Sequence, residues 1–148
     1  MSRATGVGGE KSNGWSFGLL SGNGRFVAFA SGANNLDQAD RDSSVIDVFL
    51  RDLALHRTVL VSRGSGADGP KANSNSAVAS VSQDGRYVAF RWCAWNLDKA
   101  DLAVPKAGKP CGADVYVRDV ESEETALVSR ADGADGPKAN GSSSRGLL

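Results

Sequence analysis

Four segments that recur in the same order along this chain limit its fold more than any other feature. "GRFVAF" (24–29) returns as "GRYVAF" (85–90), and "NLDQAD" (35–40) returns as "NLDKAD" (96–101). "DVFLRDL" (47–53) returns as "DVYVRDV" (114–120), and "LVSRGSGADGPKAN" (60–73) returns as "LVSRADGADGPKAN" (127–140). The spacing shifts once, where "LAVPKAGKPCGA" (102–113) replaces the shorter "RDSSVI" (41–46). The chain is a tandem repeat with a period of about 60 to 67 residues, so each copy must build the same supersecondary unit.

Each copy carries four strand signals. "FGLLS" leads through Asn23-Gly24 into "RFVAFAS", and "AVASVS" leads through Asp84-Gly85 into "RYVAFRW". Asn-Gly and Asp-Gly tolerate positive φ at both central turn positions, which predicts a two-residue hairpin. A rim loop precedes the third strand, "DVFLRDL" or "DVYVRDV", and "RTVLVSR" or "TALVSR" forms the fourth. Phe26, Ala28 and Ala30 alternate with Val27 and Phe29, so the second strand is apolar on both faces and needs cover on both sides. Four-stranded antiparallel sheets stacked face to face about an axis supply that cover. The expected fold is all-β: two β-propeller blades of an incomplete ring. The expected divisions are the end of a preceding blade with an inter-blade loop (1–15), a first blade (16–63) and a second blade (64–130) with its inserted loop (102–113). An inter-blade loop and the start of a further blade (131–148) follow.

The same register places the ends. Met1-Ser2-Arg3 takes the slot of Val61-Ser62-Arg63 and of Val128-Ser129-Arg130, and "GLL" (146–148) takes that of a first strand. The expectation is a two-blade piece of a longer protein, because propellers have about 4–8 blades. A homo-oligomer that completes a ring is the alternative. The 148 residues carry a formal net charge of zero, which removes the electrostatic case for nucleic acid. No segment approaches the roughly 18 consecutive apolar residues of a membrane helix, so no membrane insertion is expected. "MSRATGVGGEK" lacks the apolar stretch of a secretory signal.

The second copy reads Ser82-Gln83-Asp84-Gly85-Arg86-Tyr87-Val88-Ala89-Phe90, then Asn96-Leu97-Asp98, then Asp114-Val115-Tyr116-Val117-Arg118-Asp119. The first copy repeats the set with Asn23 in place of the turn aspartate. These units resemble the TolB-type β-propeller repeat, a bacterial relative of the WD repeat, over nearly the whole chain. The resemblance implies the propeller fold and, because members are often exported, a periplasmic or extracellular location, although this chain shows no signal peptide. It does not imply one function. Such repeats occur in a periplasmic envelope protein that binds partner proteins and in propeller domains beside peptidases, and this chain carries neither the α/β domain of the first nor the hydrolase domain of the second.

Several motifs carry chemistry on paper. Gly14-Trp15-Ser16-Phe17-Gly18 fits G-x-S-x-G, the elbow that presents a nucleophilic serine. The aligned slots "SNSAV" (74–78) and "GSSSR" (141–145) have no elbow, and a loop precedes Ser16 while a hairpin strand follows it. Ser16 therefore reads as a loop serine, and the single histidine, His56, falls in a hairpin turn. Arg51-Asp52 and Arg118-Asp119 read as a structural pair at each blade edge, since a catalytic pair would sit in one copy. "GGEKS" (8–12) has Glu10 where a P-loop needs glycine before the lysine. Asn140-Gly141-Ser142 fits the glycosylation acceptor pattern, which is too common to use alone.

Cys93 and Cys111 occur only in the second copy and flank one strand-to-strand connection. A disulfide there would contribute about 3 kcal/mol and imply an oxidising compartment; two free thiols are the alternative. Asp37, Asp40, Asp42 and Asp47 crowd the first rim loop, and Asp98, Asp101 and Asp114 the second. Asp40, Asp42 and Asp47 are weak Ca²⁺ candidates, while turn closure through backbone N–H groups is the simpler reading. Asn35, Asp37, Asp40, Asn96, Asp98 and Asp101 form the candidate binding rim. With no unique acid, base or nucleophile, the expected function is a non-catalytic scaffold that binds a protein or peptide and needs no cofactor. The alternatives are the propeller part of a larger enzyme, such as a peptidase-associated gating domain, and a self-assembling two-blade subunit.

Overall fold

A computed structural model of the protein describes residues 2–41, 44–99, 112–133 and 136–139. Among the described residues there are eight strands and no α-helix. The first copy supplies β1 (Ser16–Leu20), β2 (Phe26–Ser31), β3 (Asp47–Asp52) and β4 (Arg57–Leu60). The second supplies β5 (Ser76–Val81), β6 (Tyr87–Trp92), β7 (Asp114–Asp119) and β8 (Glu124–Leu127). They form two four-stranded antiparallel sheets, each in the order of the chain. The fold is all-β, as the repeat requires. No helix among the described residues is long and apolar enough to cross a membrane.

Equivalent residues pair equivalently, apart from a register shift between Val78 and Ser80 of β5 that β1 lacks. Phe29 lies opposite Phe49 in the first sheet and Phe90 opposite Tyr116 in the second, and both aromatic pairs stack, with ring centroids 5.6 and 5.5 Å apart. The hairpins are wider than Asn-Gly and Asp-Gly predict. Ser21 N–H donates to the Phe26 carbonyl, and only the glycines take positive φ, 72° at Gly24 and 74° at Gly85. Asn23 and Asp84 instead turn their side chains back to accept the N–H of Arg25 and Arg86. That local bond competes with the tighter turn and wins.

The two apolar faces of the first sheet meet different cores. Ala28, Val48 and Leu50 share one core with Val88, Phe90, Tyr116 and Leu127 of the second sheet, and this core joins the copies. On the opposite face Phe29, Phe49 and Leu60 pack with Ala33 and Leu36 of the rim loop. Each buried valine, leucine or phenylalanine here contributes about 1.5–3 kcal/mol by leaving water, so the inter-sheet core is a principal source of stability.

A turn-rich segment introduces each copy and recurs after the second, closed each time by an isolated bridge: Arg3 with Lys11, Arg63 with Lys71, and Arg130 with Lys138. The Arg-Asp dipeptides hold this scaffold, but not by pairing within themselves, because successive strand residues point to opposite faces. Arg51 donates to the carbonyls of Arg3 and Ala4 and to the Thr58 hydroxyl, fastening the introductory segment. Arg118 does the same with Gly64 and Thr125. Asp52 accepts a two-pronged bond from Arg25 and caps the N–H groups of Ala54 and Leu55. Asp119 repeats this with Arg86, Glu121 and Ser122.

Candidate functional site

The first strand of each copy is an edge strand, and a cavity of about 680 Å³ opens between β1 and β5. Trp15, Phe17 and Leu19 line it from the first copy, and Ala77, Arg91 and Trp92 from the second, with Ile46 between them. Phe17 and Leu19 share a face of β1 because strand side chains alternate. Phe17 is 69% exposed and Trp15 58%, unusual for side chains of their size. The Arg91 guanidinium lies 5.4 Å from the centroid of the Trp92 ring, within the range of a cation–π contact. Trp92 ends β6 at φ 150°, a region that side chains avoid, so the groove wall holds local backbone strain.

The repeat itself marks this groove. Trp15 stands where the second copy has Asn75, and Phe17 where it has Ala77; Arg91 and Trp92 stand where the first copy has Ala30 and Ser31. Elsewhere the copies keep the residues that hold the sheets. Sequence reasoning missed the groove because its residues lie far apart in the chain, although comparing the copies position by position would have found them. An apolar trough with aromatic walls, a cation and an edge strand suits an extended chain carrying apolar and acidic side chains.

The residues expected on a binding rim are used differently. Asn35 donates to the Lys11 carbonyl and accepts Asn13 N–H, and Asn96 makes the same bonds to Lys71 and Asn73. Asp37 accepts the N–H groups of Ala39 and Leu60, and Asp98 that of Leu127. Asp40 is fully buried. These side chains staple loops to strands, and Asn35 and Asp37 also line a separate cavity of about 720 Å³; Asp101 lies outside the described residues.

Two of the calcium candidates do converge, on a cation the chain supplies. Lys71 Nζ lies 2.6 Å from Asp40 Oδ1 and 2.9 Å from Asp47 Oδ2. Ser62 donates to Asp47 Oδ1 at 2.7 Å. Burial pushes the Asp47 carboxyl up to about 6, although Lys71 and Ser62 pull the other way. Asp42 lies outside the described residues, and among those described no group of three or more carboxylate, histidine or cysteine side chains could hold a metal.

Ser16 opens β1, its hydroxyl donates to Ser31 at 3.1 Å, and a hairpin follows, so the nucleophile elbow is not built. His56 sits in the turn between β3 and β4 at φ 54°. Cys93 is buried and disulfide-bonded, while Cys111 lies outside the described residues, as does Asn140-Gly141-Ser142.

No family model, curated protein or solved structure matches this chain.

Proposed function

We propose that the protein is a non-catalytic, TolB-like β-propeller segment that acts as a peptide- or protein-binding scaffold, with the groove between β1 and β5 as its binding site. One observation carries this reading: four residues by which the two copies differ, Trp15, Phe17, Arg91 and Trp92, gather in one trough. A duplicated scaffold keeps what folding needs in both copies, whereas a ligand that lies across both copies meets different residues in each. Exposed Trp15 and Phe17 offer apolar area to a partner without loss to the core.

The test is to pan a phage-displayed library of random extended peptides against the immobilised protein. Enriched peptides should pair apolar side chains with an acidic one and alter the fluorescence of Trp15 and Trp92 on titration. Phe17→Ser combined with Trp92→Ala should weaken binding by at least about tenfold, or about 1.4 kcal/mol. A library that yields no enrichment, or binding indifferent to both substitutions, rejects the reading.

A further inference from the structure

The contact between the two copies is built from matched features, and each feature has an unmated counterpart toward an end of the chain. The ring of Phe26 fills the space beside Gly85. By the repeat, Tyr87 corresponds to Phe26 and Gly24 to Gly85. Tyr87 is 38% exposed, and a side chain at Gly24 would meet nothing within 4 Å. The core tells the same story: Val61 is fully buried between the sheets, whereas Val128, its counterpart, is 48% exposed. The introductory segments agree. Lys71 reaches back to Asp40 and Asp47, and Lys138 to Asp114 at 2.6 Å, but Lys11, their counterpart in the first copy, is exposed.

We infer that these two surfaces are the halves of one head-to-tail interface, and that its occupant is a second copy of this chain. The internal contact is a worked sample of it: Tyr87 of one molecule enters the Gly24 turn of the next, Val128 is covered, and Lys11 reaches Asp114. Such a contact is heterologous, so each molecule added presents a fresh half until a ring closes. The arriving molecule brings its own segment 3–11 into the place that 130–138 holds, because the two are the same repeat element. That resident segment therefore competes with the second molecule, and Lys11 replaces Lys138 at Asp114. This inference stands apart from the groove and survives if the groove binds nothing.

Sedimentation velocity over a wide range of concentration tests it. The mass of the full chain should rise with concentration, and a chain ending at Arg130 should assemble at about tenfold lower concentration, the competing segment being gone. Tyr87→Glu and Gly24→Asn should each stop growth. Both substitutions suit their sites, one being exposed and the other keeping a residue that accepts positive φ. Each variant retains the half the other lacks, so mixing them should restore a dimer that grows no further. Val128→Glu should behave as Tyr87→Glu does, with folding of each variant checked by circular dichroism. A full chain and a shortened chain that both stay monomeric throughout would overturn the inference, as would single variants that still assemble or a mixture that forms no dimer.

Discussion

Phe26 and Gly85 meet ring against bare backbone: a Cβ on Gly85 would overlap the Cγ, Cδ1 and Cδ2 atoms of the Phe26 ring. The glycine that the hairpin needs for its positive φ is thus also the surface that receives the neighbouring sheet. Gly24 has the same φ and no such neighbour. Gly85→Ala should lower stability by about 2–4 kcal/mol, combining backbone strain with overpacking. Gly24→Ala should cost only the strain, about 1 kcal/mol. Chemical denaturation of both variants checks the difference, and equal losses would show that the sheets do not meet at this point.

Arg118 and Arg51 are buried, and each binds main-chain carbonyls of the segment that introduces its copy. Removing either leaves those carbonyls without their donor. Arg118→Ala should cost about 3 kcal/mol of global stability, because its segment lies between the two copies. Arg51→Ala should instead release residues 3–11 locally, read as faster amide exchange there than in the sheets. Uniform protection across the chain would contradict this division.

Asp47 links stability to pH. Its folded pKa, raised to about 6 by burial, lies above the value near 4 of an unfolded aspartate. The stability contributed by its protonated form is complete below about pH 4 and is lost as pH rises through 6. Asp52 and Asp119, held low by Arg25 and Arg86, work in the opposite sense and lose their contribution as pH falls. The cost of Asp47→Asn should therefore be larger near pH 4 than near pH 7, by about 1–3 kcal/mol. Unfolding midpoints of both proteins across that window check the sign.

Cys93 is disulfide-bonded, and Cys111 is the only other cysteine in the chain. Peptide mapping without reductant should join the two, and reduction should lower stability by about 3 kcal/mol. An unfolding midpoint indifferent to reductant would remove the bond from the account.

The strands, their order and their pairing were legible in the chain, because alternation and turn residues act over a few neighbours and both copies say the same thing. Turn width was not. Asn23 and Asp84 can serve either as turn residues with positive φ or as side-chain acceptors, and only the closed hairpin shows the second use. The acidic loops were legible as turn formers, but their partners were not: Lys71 reaches Asp40 and Asp47 from across the chain.

Sequence by itself determined that this protein is two copies of a four-stranded unit with apolar faces. Tertiary structure alone decided which of those faces is covered and where unlike residues meet. Val61 and Val128 sit in the same Leu-Val-Ser-Arg context, yet one is buried and the other is exposed. Phe17 and Trp92 came to line one groove only through the packing of two sheets. The physical reason is that strand formation answers to local backbone and side-chain preference, whereas burial belongs to whatever surface lies opposite.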